Sequence, residues 1–333
     1  MTTALPPVEP ALADAVTARM TVVEQRLRDA VAHSDALAGA TSRHLVDAGG
    51  KRLRPMLTLL SGHLGDADAE QLVDAAVVVE LTHLATLYHD DVMDAAPVRR
   101  GAPSAHELWG NQIAVITGDL VFARASAIAA GLGPDAIRIL AETFERLCLG
   151  QLHEVAGPDD GADPVAHYLQ VLADKTASLL ATSARFGAMF SGAGPQVEAA
   201  LVAYGEAAGV AFQLADDVID LTSDGRVTGK TPGTDLREHV PTMPVLLLRE
   251  RVAAGGAAPA DVELLALLDS DLSDDAVLAG AVAALRAHEV LAQTRAQAQA
   301  WEQRAIEALG RLPEGPVRAA LETFTHSLVD RSA

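Results

Sequence analysis

Apolar side chains recur at intervals of three and four residues along nearly the whole chain, a spacing typical of α-helices that pack against one another. The pattern begins after about residue 8 and is interrupted by short segments bearing Gly, Pro or Asp, among them 96–104, 157–164, 191–195 and 222–235. Neither strand-like alternation nor a solenoid-like repeat stands out. The pattern predicts an all-α bundle of ten or more helices.

The breaks in this pattern give no clear domain boundary. No linker is long or polar enough to divide the chain, so we expect one all-helical domain over residues 9–333, preceded by a loose N-terminus over 1–8. The stretch 253–275 is rich in Ala, Gly and Asp and is predicted to be a flexible insertion.

Composition narrows the class of protein further. Half of the residues are hydrophobic and only 3% are aromatic, which favours helix packed on helix. The net charge of −20 argues against a nucleic-acid surface, because phosphate contacts need clustered cations. No apolar run reaches the roughly 18 residues of a transmembrane helix, and no secretory signal is visible, so we expect a soluble cytoplasmic protein. The single cysteine, Cys148, excludes an internal disulfide and is expected to be a small buried hydrophobe.

The segment LYHDDVMDAAPVRRG, residues 87–101, places carboxylates where an apolar helix should continue. If 75–94 are helical, Asp90, Asp94 and Asp91 fall at about 0°, 40° and 100° around the helix axis, and His83 and Glu80 share that face. A second segment, AFQLADDVIDL, repeats the same DDxxD spacing and carries Gln213 on the same face. Its aspartates are Asp216, Asp217 and Asp220.

One such cluster alone would often be a solvated helix face or a cap. Two copies inside apolar helices favour a ligand, because adjacent carboxylates in an apolar setting repel each other unless a cation compensates. Oxygen ligands without cysteine suit magnesium, which bridges carboxylates to phosphate oxygens. The two clusters therefore predict a site for metal-bound diphosphate.

The basic residues agree with an anionic ligand. Only three of the 25 basic residues are lysines, and each lies beside Gly, Thr or Pro: Lys51, Lys175 and Lys230. A compact ammonium group is a good partner for phosphate oxygens. Arg54 lies three residues after Lys51, and Arg99 and Arg100 follow the first aspartate cluster, so their planar guanidinium groups can bind phosphate through two hydrogen bonds.

With these residues in place, the chain resembles the trans-polyprenyl diphosphate synthases along nearly its whole length. The shared motifs occur in the family's order: GGKRLRP, ELTHLATLYHDDVMD, VRRG, TGDLVFARA, DKTASLL, FQLADDVIDL and GKTPGTDLRE. The resemblance implies an isoprenoid-synthase fold with a central cavity and a homodimer. It also implies head-to-tail condensation of an allylic prenyl diphosphate with isopentenyl diphosphate, with release of diphosphate.

The resemblance also assigns roles to individual residues. The two aspartate motifs would hold the Mg²⁺ ions that bind the allylic diphosphate. The positions that match contacts to this substrate are Lys175, Thr176, Gln213, Lys230 and Arg99. The positions that match the pocket for isopentenyl diphosphate are Lys51, Arg54, His83 and Arg100. One departure is visible at His239 and Val240, where many relatives carry Gly-Lys, and it puts a further lysine contact in doubt.

The length of the product should depend on side chains below the first motif. Ala85 lies five residues before Asp90, about 7.5 Å along a helix axis, and its small side chain would leave room for a growing chain. In the family a bulky aromatic residue there is associated with short products. Tyr88 lies on the adjoining face, either as a partial obstruction or as a core residue with a satisfied hydroxyl. We expect a long-chain product, such as a quinone side chain, with a short-chain farnesyl or geranylgeranyl product as the alternative.

Three other readings remain open from the sequence. A class I terpene cyclase uses a similar DDxxD motif, but it needs no isopentenyl pocket. A metal phosphohydrolase of the HD type is suggested by His89 and Asp90, but this reading leaves the second cluster and the lysines unexplained. A non-catalytic partner subunit would be favoured by the loss of motif aspartates, and none is missing.

Overall fold

The computed structural model describes residues 9–222 and 232–330. The helices up to residue 132 are α1 (Pro10–Ala30), α2 (Ala36–Asp47), α3 (Leu53–Gly62), α4 (Gln71–Met93), α5 (Ala105–Trp109) and α6 (Asn111–Leu132). They are followed by α7 (Pro134–Ala156), α8 (Pro164–Leu172), a π-helical turn (Ala173–Ala177), α9 (Ser178–Phe190) and α10 (Pro195–Thr222). The last helices are α11 (Thr234–Arg237), α12 (Met243–Ala253), α13 (Pro259–Leu268), α14 (Asp275–Ala287), α15 (Glu289–Leu309) and α16 (Pro316–Val329). The prediction of an all-α fold is confirmed.

A very short hairpin is the exception within the described residues, and it falls where the sequence predicted only a loop. Strands β1 (Val98–Arg99) and β2 (Ala102–Pro103) pair antiparallel through a two-residue turn. Both turn residues have positive φ, 55° at Arg100 and 80° at Gly101, as tight hairpin turns require. The hairpin matters for the site because it fixes the two adjacent arginines.

The described residues form two compact units. The first comprises 9–147, 178–205 and 308–324, and the second comprises 148–177, 206–222, 232–307 and 325–330. The loose N-terminus predicted over 1–8 lies outside the described residues, and the single domain over 9–333 stays a prediction.

Helix α4 runs through the core of the first unit. Its apolar side chains pack with those of α6, α7 and α9 in a cluster that includes Val78, Val79, Leu140 and Phe186, all at most 1% exposed. Most of α4 is buried around its whole circumference, as expected for a helix surrounded by others. This packing fixes the helix whose last turn carries the first aspartate motif.

The core of the second unit corrects one expectation. The stretch 253–275 was predicted to be a flexible insertion, but it contains α13, and its leucines Leu264, Leu268 and Leu272 are buried in the core of this unit. Asp261 in the same helix accepts hydrogen bonds from Arg251 and His288. The leucine pattern at helical spacing outweighs the Ala, Gly and Asp content of the flanking turns.

Cys148 is exposed, so the expectation of a buried cysteine is wrong. The buried stripe of α7 runs through Leu140, Thr143 and Leu147. Cys148 follows Leu147 directly, and one residue rotates the side chain about 100° around the helix, away from this stripe.

Among the described helices, α6 is the one long and apolar enough to cross a membrane by length and composition alone. A third of its most apolar stretch is buried within the chain. Val115 and Ile116 on its outer side are 39% and 65% exposed. The same test is passed by core helices of soluble proteins, so it does not establish a membrane span.

Candidate active site

The first aspartate motif lies at the C-terminal end of α4. Asp90 is partly exposed, Asp91 is fully buried, and Asp94 is the exposed C-cap residue. The C-terminus of a helix carries partial negative charge, which disfavours carboxylates. A helix end with three aspartates therefore calls for cations nearby.

Arg99 supplies one of these cations. Its Nε donates to Asp91 Oδ1 at 2.5 Å from the hairpin that follows α4. Burial raises the pKa of the Asp91 carboxyl group, and the charge and hydrogen bond of Arg99 oppose this rise. The second oxygen, Asp91 Oδ2, is buried without a hydrogen-bond partner in the structure. This oxygen can still accept a hydrogen bond or bind a cation.

A group of arginines surrounds His83, which lies two turns before Asp90 on α4. Burial, and then the positive charges of Arg54, Arg100, Arg99 and Arg52, hold the pKa of His83 well below its usual range. His83 is therefore neutral at neutral pH. The resemblance implied one anion pocket of Lys51, Arg54, His83 and Arg100. The structure places Arg54, Arg100 and Arg99 near His83.

Arg54 is the arginine of this group that has a buried donor without a hydrogen-bond partner. Its Nε is buried and has no hydrogen-bond partner in the structure. Burial lowers the pKa of Arg54 to about 10, with Glu80 opposing the fall and Arg100 adding to it. The side chain is still charged at neutral pH, and a buried charged group without a full set of partners favours an anionic ligand.

Arg100 is held by backbone carbonyls. Its guanidinium donates to the carbonyl oxygens of Leu45 and Gly49. A Cβ atom at Gly50 would lie 2.7 Å from the Arg100 Cζ, so a side chain there would displace the guanidinium. The glycines of the GGKRLRP motif thus make room for Arg100.

Arg52 is a residue that the sequence reasoning missed. It is 2% exposed and donates to Glu80 Oε1 and Glu24 Oε1, both at 2.7 Å, and to the Val46 carbonyl at 3.0 Å. Arg52 therefore holds α1, α2 and α4 together and has no surface left for a ligand. Lys51, the preceding residue in the chain, is exposed.

The second aspartate motif lies in the last two turns of α10. Asp216 and Asp220 are partly exposed, whereas Asp217 is 2% exposed. The Tyr168 hydroxyl donates to both oxygens of Asp217, at 3.0 and 2.9 Å, and the Met243 N–H donates to Oδ2 at 3.1 Å. Burial raises the pKa of Asp217 well above its usual range, and these hydrogen bonds oppose that rise. Asp217 thus anchors α10 to α8 and α12.

The π-helical turn after α8 carries Lys175 and Thr176. Lys175 Nζ donates to Glu154, and Thr176 Oγ1 donates to Gln213 Oε1 at 3.3 Å. Single π-turns often occur at functional sites. The predicted contact residues Lys175, Thr176 and Gln213 therefore lie within one small region, beside the second motif on α10.

Two glycines allow this turn to lie so close to its neighbours. A Cβ atom at Gly150 would lie 2.6 Å from the Lys175 backbone nitrogen, and one at Gly209 would lie 2.3 Å from the Ala177 Cα. Gly209 is one turn before Gln213 on α10, so the close approach also sets the Thr176–Gln213 hydrogen bond. Lys230, the remaining predicted lysine, lies outside the described residues.

The two predicted chain-length residues are both fully buried. The Tyr88 hydroxyl donates to the Thr41 carbonyl at 2.6 Å and accepts from the Leu45 N–H at 3.2 Å. Its hydroxyl is thus satisfied within the first unit, as in the core-residue interpretation. The small side chain of Ala85 fills little space beside the adjoining turn of α4.

The aspartates fit a divalent cation. Both motifs offer carboxylate oxygens without cysteine, Asp91 keeps one unpartnered buried oxygen, and four of the six carboxylates are at least partly exposed. Hard cations such as Mg²⁺ prefer oxygen ligands and keep several waters. Among the described residues, Glu302, His326 and Asp330 have ligand atoms within 4.8 Å of one another, and none of the three belongs to either motif.

An all-helical fold with two such motifs, each beside basic groups, defines the isoprenyl diphosphate synthase class. The chain belongs to the polyprenyl synthetase family, whose model matches residues 35–285. The predicted recognition of the trans-polyprenyl diphosphate synthase family is confirmed.

Individual relatives agree with this assignment. The chain is 42% identical to the nonaprenyl diphosphate synthase of Mycobacterium tuberculosis over 321 residues, which covers 96% of this chain and 94% of that protein. The polyprenyl synthase of Caulobacter crescentus, crystallised with calcium and isoprenyl diphosphate, superposes with a TM-score of 0.87 at 33% identity, covering 97% of each chain. The geranylgeranyl pyrophosphate synthase of Corynebacterium glutamicum, also with calcium and isoprenyl diphosphate, gives a TM-score of 0.85 at 37% identity, covering 97% of this chain and 98% of that chain.

Proposed function

We propose that this chain elongates an allylic prenyl diphosphate with isopentenyl diphosphate and makes a long-chain polyprenyl diphosphate, such as the precursor of a quinone side chain. The observation that carries the proposal is the pair of aspartate motifs, each at a helix C-terminus beside basic side chains. The identity to a nonaprenyl diphosphate synthase over 94% of that protein supports the long product.

The proposed roles follow from the groups at the two motifs. Asp90, Asp94, Asp216 and Asp220 offer the more accessible carboxylates for Mg²⁺, while Asp91 and Asp217 are also predicted ligands that the protein holds in place. When bound, Mg²⁺ neutralises the diphosphate and makes it a better leaving group. Lys175 and Lys230 add positive charge to the same leaving group.

The chain's other residues bind and orient. Arg54, Arg100, Lys51 and neutral His83 would bind the diphosphate of isopentenyl diphosphate, because Arg54 already holds a buried donor without a partner. Thr176 and Gln213 present oxygen dipoles that stabilise a developing allylic cation without being strong nucleophiles. The leaving diphosphate takes the proton, so no side chain is required as a general base.

The proposal is tested with purified protein, Mg²⁺, isopentenyl diphosphate and each of the dimethylallyl, geranyl, farnesyl and geranylgeranyl primers. The expected result is products of about 30 carbons or more, made through a tunnel beside Ala85. Phosphate release from prenyl diphosphates alone would instead favour a phosphohydrolase. His89, the residue that suggested this rival, contacts the Val115 carbonyl at 3.2 Å and Asp119 at 3.3 Å on α6.

A short-chain product is the second candidate. The 37% identity to a geranylgeranyl pyrophosphate synthase and the fully buried phenol of Tyr88, one turn from the first motif, favour it. Products that stop at 15 or 20 carbons with every primer would establish this candidate and refute the long-chain proposal.

Replacing Ala85 tests the tunnel directly. Ala85→Phe is expected to shorten the dominant product by at least two five-carbon units, because a ring would fill the space that a growing chain needs. Product lengths are measured by chromatography of the dephosphorylated alcohols. Ala76→Phe, at another fully buried alanine of α4, is the matched control for general overpacking and should lower stability without shortening products. Equal shortening by both variants would contradict the tunnel.

We further propose that the protein is a cytoplasmic homodimer that buries the outer face of α6. Val115 and Ile116 are exposed there, beside the small side chains of Ala123 and Ala127. An apolar face of this kind is typical of a subunit interface.

A charge on this face should separate the subunits. Ile116→Asp is expected to convert a dimer into a monomer at micromolar concentration, because an unpaired carboxylate would be buried in the interface. Light scattering after size-exclusion chromatography measures the mass. Leu37→Asp, at an equally apolar exposed position on α2, is the control and should stay dimeric. A wild-type monomer would refute the proposed dimer.

A further inference from the structure

The second unit contains a cavity of about 500 Å³ that the proposed reaction does not use. This volume lies within the range of small-molecule sites, about 300–1,000 Å³. Helix α8 and the segment before it form one wall. Residues 240–253, which include α12, form the other. The exposed cavity surface is mainly apolar. The apolar lining includes Val165, Tyr168, Val171, Val240, Pro241 and Leu246.

The cavity adjoins the groups that hold the second aspartate motif. Tyr168 lies in its wall, and the hydroxyl of the same residue donates to both Asp217 oxygens. The N–H of Met243, at the start of α12, supplies the third hydrogen bond to this carboxylate. The two helices that form the walls therefore each hold Asp217. Glu154, the partner of Lys175, also lines the cavity.

The charges around the cavity define what it would accept. Three carboxylates line it, those of Glu154, Asp163 and Glu250. The lining guanidinium, Arg249, is paired with Asp269 at 2.8 Å. Glu154 is paired with Lys175, but Asp163 and Glu250 keep the lining negative. This charge disfavours a diphosphate, so the cavity differs in kind from the arginine-rich pocket around His83. Val240 adds apolar surface to the lining.

We propose that this cavity binds an apolar chain with a neutral or cationic polar end, and that its occupation inhibits turnover. A ligand that separates α8 from α12 lengthens the hydrogen bonds from Tyr168 and Met243 to Asp217. The aspartate that anchors α10 then loses its fixed position, and the neighbouring Asp216 and Asp220 lose theirs. The proposed binding depends only on the cavity, whereas the proposed inhibition also rests on the proposed function.

Photolabelling tests the binding step without any measurement of activity. A dodecanol that carries a diazirine is irradiated with the full chain, and the labelled peptides are mapped by mass spectrometry. Labels are expected within 157–171 and 240–253. Unlabelled dodecanol and dodecylamine should each reduce labelling at least fivefold, whereas dodecyl phosphate at the same concentration should reduce it less than twofold. Labels confined to other segments, or equal competition by dodecyl phosphate, would overturn the proposal.

Matched substitutions locate the site. Val165→Trp fills the cavity and should lower labelling at least fivefold, whereas Ala166→Trp, at the next and exposed position of α8, should leave it unchanged. Ala253→Trp, at the end of the opposite wall, is a second filling variant in case Val165→Trp does not fold. Labelling that persists in a folded filling variant would overturn the cavity as the site.

Measurements of turnover then test whether occupation of the cavity inhibits prenyl transfer. Dodecanol should lower prenyl transfer at least threefold in the wild-type chain and in Ala166→Trp, but not in Val165→Trp. Inhibition that is equal in all three would refute the coupling through Tyr168. If no primer is elongated at all, the proposed function fails, while cavity-specific labelling would still support the binding site.

Discussion

The double substitution Asp90→Asn and Asp216→Asn is expected to lower turnover about 10³-fold or more. Each change removes one negative charge from the accessible carboxylates of one motif while keeping the size of the side chain. Loss of bound metal removes several kcal/mol of charge stabilisation from the departing diphosphate, and each 1.4 kcal/mol corresponds to a factor of ten in rate. The measurement is incorporation of isopentenyl diphosphate at saturating Mg²⁺.

The controls for this experiment separate charge from folding. Asp135→Asn removes an exposed carboxylate in the first turn of α7, where it pairs with Arg138, and should change turnover less than twofold. Thermal unfolding of the double variant should occur within a few degrees of the wild-type temperature, because Asp90 and Asp216 are partly exposed. Unchanged turnover in the double variant would show that the two motifs are not the metal site.

Much of the fold could be predicted because it depends on short-range periodicity. The helical pattern and its Gly, Pro and Asp breaks gave the all-α fold and placed the first motif on a helix, which ends at Met93 where 75–94 was predicted. The misjudged stretch 253–275 shows the limit of composition. Its leucines recur at helical spacing in α13, but the surrounding Ala, Gly and Asp concealed this short helix.

The candidate site could be predicted only where repeated or charged side chains mark it. The two DDxxD motifs, Arg54 and Arg99 were visible in this way. Tyr168 was not, because an aromatic residue in an apolar helix gives no sign that its hydroxyl meets an aspartate 49 residues away. The contribution of Met243 is a backbone N–H, which has no sequence signature at all.

Arg52 has a structural role that its sequence context did not reveal. It stands between two predicted ligand residues, Lys51 and Arg54, and the three basic residues look equivalent. Because residue 52 adopts a left-handed conformation, with φ of 51°, just before α3, its side chain is buried against acids of α1 and α4. Arg52 therefore stabilises the fold on which the anion pocket depends.

Replacing Arg52 is accordingly expected to affect stability strongly. Arg52→Met should lower the free energy of unfolding by about 3–5 kcal/mol, because buried Glu80 would lose its close partner at 2.7 Å. Glu80 is 1% exposed, and its next nearest guanidinium is that of Arg100 at 3.8 Å. Urea unfolding followed by circular dichroism measures the change.

Two further variants test whether the buried charge of Glu80 causes the loss of stability in Arg52→Met. Arg138→Met breaks an exposed ion pair with Glu142 at 2.8 Å and should cost less than about 0.5 kcal/mol, as surface pairs do. Arg52→Met combined with Glu80→Gln should recover at least half of the lost stability, because the second change removes the buried charge while Glu24 remains partly solvated. A double variant as unstable as Arg52→Met alone would mean that packing of the arginine side chain, rather than its charge, holds α1, α2 and α4 together.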